Sequence, residues 1–198
     1  AYLLRGARPA MNLWLIRHAA PLIAPGTCYG ILDVAADPGA TREAALSLAS
    51  ALPYGIRVQC SPMRRCTQLL DALLTLRPDL GATQDARLQE MDFGHWEGQH
   101  WDDIGEGALT AWTSSFAGYA PGGGECVSQF MQRVAQSFDE LTHGAKDTAW
   151  ITHAGVARAA RLLSQGVRHI DDAAMWPKEA LAHGAWSVLS LDANPPSY

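Results

Sequence analysis

Three short apolar runs each end in residues that could do chemistry. Arg17-His18 follows the run at 11–16 (MNLWLI). Ser61-Pro62-Met63-Arg64-Arg65 follows a second run at 56–60. Thr152-His153-Ala154-Gly155 closes a third run at 148–152 and opens a helical pattern. If the three runs are parallel strands, these features meet at one edge of a sheet, where open α/β sheets bind their ligands. Two histidines and two arginines would converge there, a set that suits an oxyanion such as phosphate. Each feature also has a plainer reading, as polar strand-end residues that cap helices and pair with carboxylates.

A fourth feature is Leu88-Gln89-Glu90-Met91-Asp92-Phe93-Gly94-His95-Trp96-Glu97-Gly98. It sets carboxylates among apolar residues and glycines. Burial beside Phe93 or Trp96 would raise a carboxyl pKa toward the range useful for acid catalysis. Glu90, Asp92 and Glu97 are all candidates. The competing reading is a set of surface carboxylates on an aromatic loop.

The elements that would position these residues follow from pattern. Residues 11–16, 56–60, 148–152 and 186–191 read as strands. Residues 19–40 hold three prolines and three glycines and read as an ordered loop. From Arg42 the positions of Ala45, Leu48, Ala49 and Leu52 give a helical stripe, stopped by Pro53 and Gly55. Ser61-Pro62 predicts a second helix start, with a capping hydroxyl and proline at the first helical position. Cys66, Leu69, Leu70 and Leu73 mark its buried side. Arg64 and Arg65 fall in its first turn, where cations oppose the helix dipole unless an anion lies nearby. Phe130, Val134, Phe138 and Leu141 define a long helix over about 125–142. Val156, Ala159, Ala160 and Leu163 define another over 155–165, with Gly166 as its cap. Trp96, Trp101 and Trp112 lie in a stretch with Gly-rich ends that reads as a small helical insertion, spanning about 95–120. The Pro121-Gly122-Gly123-Gly124-Glu125 run lacks the Gly-Lys-Ser/Thr of a Walker loop and reads as a turn into the long helix. Strands separated by helices predict a three-layer α/β/α domain with a mainly parallel sheet.

Composition narrows the function classes. The chain has 198 residues, 48% of them apolar and 18% charged, which is enough apolar material for a packed core. With 15 Lys+Arg against 20 Asp+Glu, the net charge is −5. No basic excess exists to neutralise nucleic-acid phosphates over a wide surface. No apolar run approaches the roughly 20 residues of a membrane span. Cys28, Cys60, Cys66 and Cys126 form no CxxC pair, and no HxH or HExxH grouping suggests a metal centre. Reduced thiols and a cytoplasmic protein are expected, with no metal and no cofactor. Residues 1–10 precede Met11 and read as an upstream extension or expression remnant, leaving 11–198 as the domain. Arg5, Arg8 and Pro9 interrupt the apolar core that a signal peptide would need.

Taken together, the motifs resemble those of the histidine phosphatase superfamily, the phosphoglycerate mutase-like enzymes. Leu15-Ile16-Arg17-His18 looks like its opening signature. Ser61-Pro62-Met63-Arg64-Arg65-Cys66-Thr67-Gln68 is similar to its second arginine motif and aligns the catalytic arginine with Arg65. The segment Leu88–Gly98 resembles the one carrying the general acid, which falls on Glu90. Thr152-His153-Ala154-Gly155 matches the second-histidine motif. The four motifs stand in the family's order from Met11 to about Leu191. Three departures stand out: Ala19-Ala20 where the family usually has Gly-Glu, Ala154 for a frequent glycine, and Cys126 for a frequent serine.

The resemblance implies a metal-independent phosphomonoesterase. His18 would be the nucleophile and form a phosphohistidine. Arg17, Arg65 and His153 would hold the phosphoryl oxygens. Glu90 would protonate the leaving group and then take a proton from water. Cys28-Tyr29-Gly30, Asp92–Gly98 and Pro121–Glu125 look most like the α-ribazole phosphatase branch, which implies α-ribazole 5′-phosphate as substrate and a place in cobalamin biosynthesis. Tyr29, Gly30, Ala154, Trp96 and Trp101 are the expected substrate contacts. The alternatives are a broad-specificity sugar or nucleotide phosphatase, a mutase-type enzyme, and an inactive phosphate-binding interaction module. The expected partner is a small phosphomonoester, with neither nucleic acid nor membrane; the sequence leaves the oligomeric state open.

Overall fold

The computed structural model describes residues 10–144 and 146–191. The expected extension at 1–10 lies outside the described residues except for Ala10, as does the end of the expected domain beyond Leu191.

A five-stranded sheet forms the centre. Its strands are β1 (Met11–Arg17), β2 (Arg57–Cys60), β3 (Gly81–Gln84), β4 (Thr148–Thr152) and β5 (Trp186–Leu191). The order across the sheet is β3-β2-β4-β1-β5. The first four are parallel to their neighbours and β5 runs antiparallel to β1 at one edge. Central β4 is buried at all five positions, which its apolar run requires.

Alternation along β1 divides the core. Leu13 and Leu15 face one apolar layer with Trp150, Phe130, Val134 and Val156. Ile16 faces the other, with Ala45, Leu48, Leu69, Leu73 and Ile151. The first layer is covered by α5 (Val127–Gly144) and α6 (Ala154–Ser164), the second by α1 (Pro38–Ala51) and α2 (Arg64–Leu76). This is the expected three-layer α/β/α arrangement. The insertion carries two short helices, α3 (Trp101–Ile104) and α4 (Glu106–Ser114).

Three local expectations change. Helix α1 starts at Pro38 rather than Arg42, because the Asp37 carboxylate accepts from Ala40 N–H and proline occupies the first turn. Strand β3 was not expected at all. It is a short, mostly exposed edge strand with no apolar run, and backbone pairing to β2 makes it. Ser61 does not cap α2; Met63 holds the cap position without a side-chain bond, and the Ser61 hydroxyl is used elsewhere.

Candidate active site

The parallel register delivers the three strand-end motifs to one place. Arg17 pairs with Thr152 across β1 and β4, and Cys60 with Ile151 across β2 and β4. The ladder continues one step further: His18 N–H donates to Thr152 O (3.1 Å) and Ser61 N–H to Ile151 O (2.9 Å). His18 and His153 therefore sit side by side, ring centroids 5.2 Å apart, each about 1% exposed.

Their tautomers follow from their partners. His18 Nδ1 lies 2.7 Å from Ala19 O, and a carbonyl can only accept. The proton is therefore on Nδ1, and Nε2 carries a free lone pair. His153 Nε2 lies 2.8 Å from Ser61 Oγ, which itself receives Met63 N–H. When the Ser61 hydroxyl donates its proton to His153 Nε2, the ring proton is on Nδ1, a buried atom without a protein partner. Burial, and then the Arg65 charge, hold both imidazoles well below their ordinary value of 6.5. Both are neutral at physiological pH. Cys66 Sγ, 3.6 Å from His153, stays a neutral thiol, because burial pushes it up to about 12.

Arg65 is fully buried in the first turn of α2. Its guanidinium donates to Gly30 O (2.6 Å) and Leu32 O (2.9 Å), and its Nε is unpartnered. Arg17 donates to Leu181 O (2.6 Å), and its buried Nε is also unpartnered. Among the described residues neither arginine makes a salt bridge. Buried charge without a counter-ion is costly. A bound anion would supply that counter-ion and partner three buried nitrogens that lack one: Arg17 Nε, Arg65 Nε and, as the Nδ1–H tautomer, His153 Nδ1. Arg64, the alternative arginine, is exposed, and its backbone N–H is bound by Asp33.

The three candidate carboxylates separate by their partners. Glu90 Oε2 accepts from Gly155 N–H (3.0 Å), just past His153. A Cβ on Gly155 would lie 2.2 Å from Glu90 Oε1, so only glycine permits this approach. Glu97 instead binds Ile31 N–H (2.9 Å), Leu32 N–H and Phe93 N–H (3.0 Å), and Asp92 closes a turn onto Gly94 N–H (2.7 Å). Those two fix loops; Glu90 borders the histidine pair.

Beside Glu90 opens a cavity of about 290 Å³, lined by aromatic residues including Tyr29, Trp101, Trp112 and Trp176, with Arg158 at its wall. The expected substrate contacts divide here. Tyr29 and Trp101 line the cavity. Trp96 does not: it is 4% exposed and packs against Trp112 and Tyr119, supporting the wall from behind. Gly30 and Ala154 are also buried. Gly30 is instead needed for packing, since a Cβ there would lie 1.8 Å from Met91 O. One residue beside the histidine pair escaped the sequence reading. His183 stands 5.4 Å from the His18 ring and meets the Tyr29 hydroxyl at 3.4 Å. Its only sequence signal is a histidine in the turn before β5.

Among the described residues no group of three His, Cys, Asp or Glu could hold a metal ion, and no helix is long and apolar enough to cross a membrane. The four cysteines are free.

A pH dependence of stability follows from the two buried neutral histidines. Their folded pKa values are depressed, so their contribution is complete above the unfolded value near 6.5 and is lost as pH falls below it toward the folded values. The thermal midpoint should drop through that window. An unchanged midpoint from pH ~7 to ~5 would contradict the neutral pair.

A profile of the histidine phosphatase superfamily (branch 1) matches residues 13–197. No curated protein sequence matches. Solved structures do. Mycobacterial glucosyl-3-phosphoglycerate phosphatase is 23% identical with a TM-score of 0.78, covering 92% of this chain and 91% of its own. A complex of that enzyme with inorganic phosphate scores 0.75 at 24% identity, covering 91% and 90%. The α-ribazole phosphatase of Shigella flexneri scores 0.74 at 24% identity, covering 90% and 89%.

Proposed function

The chain belongs to the histidine phosphatase superfamily, branch 1, and from that premise we propose that it hydrolyses phosphomonoesters through a phosphohistidine on His18. The observation carrying this reading is the set of three unpartnered buried nitrogens, on Arg17, Arg65 and His153, around a neutral histidine whose Nε2 is free.

The dianionic phosphoryl group takes the place bounded by Arg17, Arg65 and His153. His18 Nε2 attacks phosphorus, forming the N–P bond as the P–O bond to the leaving group breaks. Protonated Glu90 gives its proton to the departing oxygen. Water then attacks phosphorus from the vacated side, and the Glu90 carboxylate takes its proton. The N–P bond breaks, its electron pair returns to Nε2, and inorganic phosphate leaves. The arginine and histidine donors are in place before charge builds on the equatorial oxygens, so little reorganisation is needed.

The leaving group occupies the aromatic cavity. Its wall of Tyr29, Trp101, Trp112 and Trp176 suits a flat heteroaromatic base, which supports α-ribazole 5′-phosphate as the substrate. Free, mostly buried thiols fit the reducing cytoplasm, where cobalamin assembly would place it. One observation favours a second reading. Arg158 is half-buried in the same wall, where its guanidinium donates to the Lys178 and Glu179 carbonyls, and it would welcome the acid or hydroxyls of a sugar phosphate.

A phosphomonoester panel tests the choice. α-Ribazole phosphate should give the highest kcat/KM, and Trp101→Ala or Trp112→Ala should lower it about 5- to 150-fold while sparing p-nitrophenyl phosphate. Trp96→Ala should harm both substrates alike, through stability. A panel led by sugar-acid phosphates would favour the second reading and leave the phosphohistidine chemistry standing.

A further inference from the structure

We propose that Arg133, locked by Glu125, is the positioning residue for the general acid Glu90; the inference rests on the reading of Glu90 as that acid. Glu90 has no helix or strand beneath it. It follows a single turn at Ala86–Leu88 and precedes an irregular stretch. The Thr152 hydroxyl fixes Leu88 O (2.7 Å), two residues before the acid. The Glu90 carboxylate itself accepts from Gly155 N–H (3.0 Å) and Met91 N–H (3.1 Å), while one side chain gathers the carbonyls of the backbone that carries it. Arg133, from α5, donates to Arg87 O (2.8 Å), Gln89 O (2.9 Å) and Glu90 O (3.4 Å). Three carbonyls of the acid-bearing segment thus converge on one planar guanidinium.

Arg133 is itself oriented. Glu125 grips it with both oxygens, at 2.9 Å to Nε and 2.7 Å to Nη2. Both side chains are largely shielded, 23% and 16% exposed. The Glu125 backbone N–H in turn donates to Asp92 O (2.8 Å), so the carboxylate is tied to the far side of the same segment. This gives the Pro121–Glu125 turn a purpose beyond starting a helix. It brings Glu125 to the point where one ion pair braces residues 87–92 from both ends. Lysine could not replace the arginine, because a point charge has no fork to span three carbonyls and a carboxylate.

Glu90 must place a proton on the departing oxygen within hydrogen-bond reach. Misplacing a catalytic group by about 1 Å can cost ~10²-fold. Loss of the clasp should therefore appear only where the proton matters. Arg133→Met should reduce kcat on an alkyl phosphate such as glycerol 2-phosphate by ~10²-fold, leave KM nearly unchanged, and slow p-nitrophenyl phosphate only slightly. Glu125→Gln, which keeps the arginine, should show the same pattern more weakly, and it serves if Arg133→Met fails to fold. The decisive comparison is the double variant. If Arg133 acts through Glu90, adding R133M to E90Q should slow the alkyl substrate no further than E90Q alone. Losses that multiply in the double variant, or equal losses on both substrates in the single ones, would overturn the assignment. If E90Q itself shows no leaving-group selectivity, the Glu90 reading fails and this one with it. A selective E90Q beside a non-selective R133M sinks this one alone.

Discussion

Replacing His18 with alanine is expected to lower kcat by about 10⁴- to 10⁶-fold on every phosphomonoester, aryl and alkyl alike, on the scale seen when an enzyme loses its nucleophile. The loss is this large and this uniform because no other group can substitute. The His153 Nε2 is occupied by the Ser61 hydroxyl, and the Cys66 thiol is held neutral by burial. The phosphate cradle should survive, since Arg17, Arg65 and His153 take their anchoring bonds from Leu181, Gly30, Leu32 and Ser61. The variant should therefore still gain thermal stability from inorganic phosphate or vanadate. Steady-state assays beside thermal-shift titrations check both halves. Turnover within about tenfold of the parent would mean that water attacks directly and that the covalent account is wrong.

Glu90→Gln is the second large effect, and its mark is selectivity. The amide oxygen can still accept Gly155 N–H, so the loop should keep its place while the transferable proton is gone. General acid catalysis is worth about 10²–10⁴-fold. Alkyl phosphates, whose alkoxides leave poorly, should lose that much in kcat. p-Nitrophenyl phosphate, whose phenolate leaves unaided, should lose far less. Asp92→Asn and Glu97→Gln should lack this selectivity, because their carboxylates close loops; Glu97 alone accepts three backbone N–H groups. A larger selective loss in Asp92→Asn would move the acid there.

The scaffold of the site was readable because strong local signals coincide with it. The apolar runs of β1, β2 and β4 each end in a charged or polar motif, and the parallel order of these strands puts the motifs together. The stripes of α5 and α6 have helical spacing and clear ends, with Gly166 at φ 81° closing the latter. What was not readable depends on tertiary contact. Ser61 has the right type and position for a cap, yet His153 lies 92 residues away in sequence and takes its hydroxyl. Strand β3 has no apolar alternation because it is an exposed edge. Trp96 and Trp112 look alike in sequence, and only packing decides that Trp112 lines the cavity while Trp96 backs it. Arg133 reads as an ordinary polar position on a helix; its three carbonyl partners come from a segment more than forty residues earlier.

The central claim is a covalent bond between phosphorus and His18 Nε2. Rapid mixing with substrate, quenching in alkali where an N–P bond survives, and peptide mapping by mass spectrometry test it directly. The account predicts a transient phosphoryl group on the peptide containing His18, forming as fast as the alcohol is released, labile to acid and absent from His18→Ala. A full burst-free turnover with no phosphorylated peptide, or a phosphoryl group found on any other residue, would contradict it.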